Sequence, residues 1–263
     1  MSPPRISVIT PSFNQVEFLE RTILSVLDQN YPQTEYIIID GGSTDGSVDV
    51  IKRYESRLAY WVSENDRGQV HAINKGLQRA TGDWVAWQNS DDTYYPGVFE
   101  QLAAAAKLHS AAQVILGNMN LIDSDDHILR DLKYVRPTYA SLLSEGMILA
   151  NQSTFWKRKV HQKLGLLNEN FDCAFDFEWF LRLLADGQQA LHINETWGAL
   201  RVHENTKTSN MQDIFDAEFA QILADRKPSA WDKRYHQLRR MCLMLAQGEI
   251  QYVLRGLKLR MTR

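Results

Sequence analysis

Short apolar runs alternate with amphipathic stretches through the first 117 residues. Residues 6–10 form a β-branched run closed by Pro11-Ser12-Phe13-Asn14, which predicts a strand and its loop. Residues 16–28 carry Phe18, Leu19, Thr22, Ile23, Val26 and Leu27 at helical spacing. The run 36–39 predicts a second strand ending at Asp40, and the turn-rich 41–47 leads into a helix through Tyr54, with a Ser or Asp as its cap. A third strand over 58–62 precedes Ser63-Glu64-Asn65-Asp66-Arg67-Gly68 and a helix over 69–79. The run 84–87 predicts a fourth strand that ends in Asn89-Ser90-Asp91-Asp92. A helix over 97–108 and a strand over 113–116 follow. Strands that are apolar throughout and alternate with helices predict an α/β fold, its mostly parallel sheet covered on both faces.

After Gly117 the rhythm changes. Residues 118–134 read as a hairpin around Asp123-Ser124-Asp125-Asp126. A short helix over 138–143, a strand over 153–156, an amphipathic helix over 177–186 and late strands over 189–193 and 197–202 complete the body. From Asp213 onward the pattern is helical, with a break near Pro228.

A length of 263 residues with 44% hydrophobic and 23% charged content fits a globular chain with a full core. The net charge of −3 hides an asymmetry. Residues 226–263 hold ten basic against two acidic side chains, net +8, which leaves −11 on the preceding 225 residues. A basic tail on an acidic body suggests an anionic surface as partner. Cys173 and Cys242 lack metal-type spacing, so neither a disulfide framework nor a zinc cluster is indicated. The N-terminus lacks a signal peptide's apolar region and no run reaches spanning length, which predicts a cytoplasmic protein, peripheral at the inner face of the membrane where the tail meets it.

The chemistry concentrates at strand ends. Asp40, Asp66 and the Asp91–Asp92 pair each follow one of three successive strands, so all fall at one edge of a parallel sheet. Ligands of open α/β sheets sit at that edge. One such acid is an ordinary turn residue; three at a shared edge favour a common site. The adjacent carboxylates of Asp91 and Asp92 repel and call for a cation or bound donors. No Gly-x-Gly-x-x-Gly or Walker pattern is present, which disfavours a dinucleotide or P-loop reading.

Residues 7–14, 39–47 and 63–68, with Ala72-Ile73-Asn74-Lys75-Gly76 and Asn89-Ser90-Asp91-Asp92, resemble the inverting family-2 glycosyltransferases of the GT-A fold, most closely the branch that builds bacterial O-antigen and other surface polysaccharides. The resemblance spans about residues 5–210. It implies a transferase domain over 1–210, with a nucleotide-sugar half (1–117) and an acceptor and catalytic half (118–210), followed by a helical basic extension over 211–263. Thr10, Pro11, Ser12, Phe13, Asp40, Gly42, Asp66, Lys75, Asn89, Ser90, Asp91 and Lys207 would then bind the sugar nucleotide, a UDP-sugar by expectation. Asp91 and His203 would hold Mn²⁺ or Mg²⁺, and Asp176 would be the general base. Asp92, Asn151, Gln152 and Trp179 would lie on the acceptor side, facing a glycan or lipid-linked acceptor.

The family's Asp-x-Asp motif begins with Asn89 here, which brings an amide and no charge and leaves metal affinity resting on Asp91. Asp123-Ser124-Asp125-Asp126 spells an acidic motif better, but its apolar flanks make it a hairpin turn. Asp176 also stands where a helix N-cap would, and Glu178 with Arg182 has the spacing of a helix-surface ion pair. A non-catalytic sugar-nucleotide-binding subunit is the alternative that Asn89 keeps open. A nucleotidyltransferase would show a Gly-rich basic loop after the first strand, and Pro11-Ser12-Phe13-Asn14 is nothing of that kind. Nucleic acid is not an expected partner. In the tail, Tyr235, Leu238, Met241, Leu245 and Tyr252 interleave with arginines, fitting either packing against the body or a second subunit, or rest on an anionic membrane.

Overall fold

The structure is a computed structural model that describes residues 3–185, 187, 189–204, 211–224 and 226–261. Four strands, β1 (Ile6–Ser12), β2 (Thr34–Asp40), β3 (Tyr60–Ser63) and β4 (Trp84–Trp87), pair in parallel in the order β3-β2-β1-β4. Helices α1 (Val16–Leu27), α2 (Ser47–Tyr54), α3 (Gln69–Arg79) and α4 (Val98–Leu108) cover them. Side chains alternate across a strand. Ile37 and Ile39 therefore join Ile73 and Leu77 of α3 on one face, while Tyr36 and Ile38 join Ile23 of α1, Ile51 of α2 and Phe99 of α4 on the other.

The sheet continues through β5 (Thr93–Tyr94), β6 (Val114–Ile122), β7 (Ile128–Leu132), β8 (Thr154–Lys157) and β9 (Ala190–Arg201) in the order β4-β8-β6-β9-β5, with β7 on β6. Here only β6 and β9 run parallel, so the sheet is mixed in this half. Helices α5 (Tyr139–Glu145), α6 (Arg158–Leu164) and α7 (Phe175–Ala185) pack around it, and α8 (Gln212–Ile222), α9 (Ala230–Ala246) and α10 (Ile250–Met261) follow. No helix among the described residues is long and apolar enough to cross a membrane.

Two strand pairs expected from the sequence are single strands. β6 runs through Gly117, and β9 runs through residues 194–196, joining the runs 189–193 and 197–202. Their shared ladder shifts register between Leu116 and Asn118 and again before Met119. The irregular pairing breaks the period-2 pattern without ending the strands. α7 is also more buried than its stripe suggested, since Phe175, Trp179 and Leu183 are enclosed besides Phe177, Phe180, Leu181 and Leu184.

Two glycines let backbones approach. A Cβ on Gly76 would lie 2.3 Å from the Ile9 side chain, so glycine there seats α3 on β1. A Cβ on Gly198 would lie 1.9 Å from the carbonyl oxygen of Gln152, which brings β9 against the one-turn 3₁₀ helix Asn151–Ser153. Backbone cannot yield as a side chain would. Gly198→Ala is expected to lower stability by about 1–3 kcal/mol in urea denaturation; an unchanged midpoint would show that the two segments are not held at this separation.

Candidate active site

The strand order reverses direction at β1, which has β2 on one side and β4 on the other. The crevice outside the carboxyl ends of such strands is the expected ligand position. A cavity of about 620 Å³ opens there. Pro11 and Ser12 at the end of β1 with Phe13 just beyond it, Gly41 after β2, Asn65 and Asp66 after β3, and Asn89 through Asp92 after β4 line one side. Asn151, Gln152, Asp172, Cys173, Phe175 and Asp176 line the other, with Leu200 and Arg201 of β9.

Asp92 is the most constrained of these. It is 2% exposed and sits between three elements. Its Oδ2 accepts from Gln152 Nε2 at 2.7 Å and Asn89 Nδ2 at 2.9 Å, and its Oδ1 accepts from the Arg201 backbone N–H at 2.9 Å. Burial, and then the neighbouring charge of Asp91, raise its carboxyl well above the usual range, while the three donors oppose the rise. Asp91 turns the other way. Its Oδ2 lies 3.1 Å from His203 Nε2, and the His203 ring packs on Phe18 at 4.6 Å between centroids.

Asn89 is not spare. Its Nδ2 donates to Asp92 and its Oδ1 accepts from Gln69 Nε2 at 2.9 Å. A carboxylate at position 89 would place a second negative oxygen against Asp92 and remove one of its donors. The neutral amide is therefore what this local packing demands.

Asp176 lies in the first turn of α7 and faces the cavity. Burial pushes its carboxyl up to about 6 against the pull of the Phe177 N–H and its own. Loop 172–174 ahead of it is gripped by Glu218 of α8, whose carboxylate accepts from the N–H groups of Asp172, Cys173 and Ala174 at 2.7–2.9 Å.

Other expected site residues stand apart from the cavity. Thr10 is enclosed and bonded to the Tyr36 hydroxyl at 3.0 Å. Asp40 is fully buried, its carboxylate taken by the Gly42 and Ser43 N–H groups and the Ser43 and Ser63 hydroxyls. It shapes the loop that carries Gly41 and Gly42, the latter at φ +84. Lys75 is paired with Glu64 on α3's outer side. Trp179, expected on the acceptor side, is instead wholly buried with its ring edge-on to Trp156, because α7 directs that position into the core. Lys207 lies outside the described residues.

The sequence left Arg201 without a role and named no residue of the tail at the cavity. The Arg201 guanidinium is fully enclosed: it donates to the carbonyls of Asp91, Asp123 and Ser124, pairs with Asp126 Oδ1 at 2.6 Å, and lies over the Phe18 ring. The acidic hairpin turn thus anchors the arginine that braces Asp91. Within the turn, Asp123, Asp125 and His127 come together, but Asp123 Oδ1 accepts from the N–H groups of Asp125 and His127. Met211 and Phe215 also reach the cavity wall, since Phe215 stacks on Phe219 and Phe219 on Phe177. Arg182 holds Glu178 as expected and also caps the Leu164 and Leu166 carbonyls.

A parallel sheet with a reversal at β1, a mixed extension and a cavity at the strand ends are the architecture of the GT-A fold. Residues 7–183 match Glycosyl transferase family 2, and the chain belongs to that family. An uncharacterized glycosyltransferase of Mycobacterium tuberculosis is 32% identical over 184 residues, 69% of each chain. TuaG of Bacillus subtilis, assigned by its name to teichuronic acid biosynthesis, is 32% identical over 212 residues, 79% of this chain and 82% of its own. Among solved structures, S. aureus TarS 1–349 in complex with UDP-GlcNAc superposes with a TM-score of 0.69 over 88% of this chain and 69% of that one, at 16% identity. A Pyrobaculum calidifontis mannosyltransferase in complex with GDP-Man and Mn²⁺ gives 0.64 over 99% and 81%, at 19% identity. At those identities the likeness is one of fold.

The family's acid at position 89 is the change that most directly probes the packing around Asp92. Asn89→Asp is expected to cost roughly 1–3 kcal/mol, since the amide donor to Asp92 is lost, with the loss growing as pH rises toward about 8, where the Asp92 carboxyl ionises beside the new acid. Equal stability from pH 5 to 8 in thermal melts would mean that Asn89 does not support Asp92.

Proposed function

We propose that the chain transfers a sugar, with inversion, from a nucleotide-diphosphate sugar to a hydroxyl of a glycan or lipid-linked acceptor in surface polysaccharide synthesis. The observation that carries this reading is the charge of the cavity. Among the described residues, the acidic side chains of Asp66, Asp91, Asp92, Asp172 and Asp176 line it, and Arg201, the one arginine among them, is spent on bracing Asp91. A diphosphate entering such a cavity needs a cation beside it.

The residues present fit a divalent ion. Asp91 Oδ2 and His203 Nε2 stand 3.1 Å apart. Adjacent ligands of an octahedral ion bound at about 2.1 Å are separated by about 3 Å. Bound there, the ion would supply positive charge to the leaving diphosphate. Pro11, Ser12, Phe13 and Asp66 would receive the nucleotide, with Gly41 allowing close approach. Asn151 and Gln152 would border the acceptor, and residues 1–117, 118–210 and 211–263 would serve as donor half, acceptor half and extension. A donor complex with UDP-GlcNAc in TarS and with GDP-Man and Mn²⁺ in the mannosyltransferase supports this class of donor. The non-catalytic alternative rested on Asn89, whose amide is engaged by Asp92 and Gln69; donor hydrolysis or transfer by the purified protein would exclude it.

Asp176 would take the acceptor proton as the new bond forms at the anomeric carbon, and one displacement without a covalent intermediate inverts that centre. A base must be ionised to act, so the rate falls below its pKa. Transfer is expected to rise through an apparent pKa of about 6 and level off above it. Asp176→Asn should lower kcat by about 10²–10⁴-fold with little change in donor affinity; near-normal transfer by this variant in a nucleotide-release assay would remove Asp176 as the base.

Asp91→Asn should abolish the gain in donor affinity that Mn²⁺ gives the wild type, as read by calorimetry with UDP. If Mn²⁺ still strengthens UDP binding to the variant tenfold or more, the ion is held elsewhere.

A further inference from the structure

The C-terminal helices dock by their polar side and leave an apolar stripe facing outward. On α9, His236 and Met244 are buried, Arg240 pairs with Glu145 at 2.7 Å, and Arg239 donates to the Arg136 carbonyl. Trp231, Tyr235, Leu238, Cys242 and Leu245 are spaced four and three residues apart in turn. At 100° per residue they fall within about 80° of arc, opposite the docked side. Trp231 is 80% exposed, Tyr235 64% and Leu238 51%. On α10, Ile250, Leu254 and Leu257 repeat the spacing and are 42–59% exposed.

Charge decides what covers this stripe. Lys233, Arg234, Arg255 and Lys258 are exposed beside it. Both acids of the segment are engaged locally: Asp232 in the capping box with Ser229, and Glu249 with Lys133 and Asn194. A second copy packed in parallel through the same seam would set Arg234 against Arg239, the positions that flank its core. An anionic lipid surface offers the complement, and Trp and Tyr favour headgroup depth. We propose that the outward stripe of α9 and α10 lies on an anionic membrane surface, with apolar side chains entering the headgroup boundary and the basic residues contacting lipid phosphates.

The full chain should float with phosphatidylcholine vesicles containing 30% phosphatidylglycerol and not with phosphatidylcholine alone. Binding should weaken in 0.5 M salt. Leu238→Glu with Leu254→Glu, both at exposed positions, should reduce the bound fraction at least tenfold with an unchanged melting temperature. Flotation of the double variant equal to wild type, or no flotation of the wild type, overturns the proposal. So does light scattering that finds a wild-type dimer split by the same substitutions, which would assign the stripe to a second copy. UDP binding in solution, measured on the same variants, is expected to be unchanged, so failure at the membrane is separable from failure of the sugar-transfer reading.

Discussion

The buried carboxylate of Asp92 is the constraint on which the site depends. Three donors from three separate segments meet on it: Asn89 from its own loop, Gln152 from the 3₁₀ turn, and the Arg201 amide from the end of β9. A buried carboxyl group with its partners in place is costly to disturb, because each lost donor leaves an unpaired oxygen. The two halves of the sheet are therefore clasped at the point where the cavity opens. The glycine at 198 belongs to the same clasp, since only a bare backbone lets β9 approach the Gln152 carbonyl.

Seen this way, the adjacent acids divide the work. Asp92 holds the architecture and Asp91, braced through its carbonyl by a fully enclosed Arg201, turns its carboxylate toward His203. The arginine is in turn balanced by Asp126 and by the carbonyls of the hairpin turn. An acidic sequence that imitates a metal motif thus contributes by gripping an arginine from the far side of the site.

Much of this was legible beforehand. The first four strands and their loops follow from apolar runs closed by turn residues, and parallel pairing then forces their acids to one edge. Residues whose function depends on direction were not legible. Asp40 and Thr10 sit in the right segments but face into the loop and the core. Trp179 looked available and is enclosed, because α7 is buried nearly all round. Asn89 read as a weakened acid until its bond to Asp92 was visible, and Arg201 read as one more residue of a late segment. Strand continuity through Gly117 and through residues 194–196 was hidden by a register shift that no periodicity encodes. The contribution of α8, which lends Phe215 to the cavity and Glu218 to the loop before Asp176, rests on a tail with no motif to announce it.

The division between Asp91 and Asp92 is tested most directly by the anomalous scattering of Mn²⁺ in crystals grown with UDP. A single peak in bonding reach of Asp91 Oδ2 and His203 Nε2 is expected, with Asp92 still held by Gln152 and the Arg201 amide. A peak on Asp92, or one at Asp123, Asp125 and His127 alone, would contradict it.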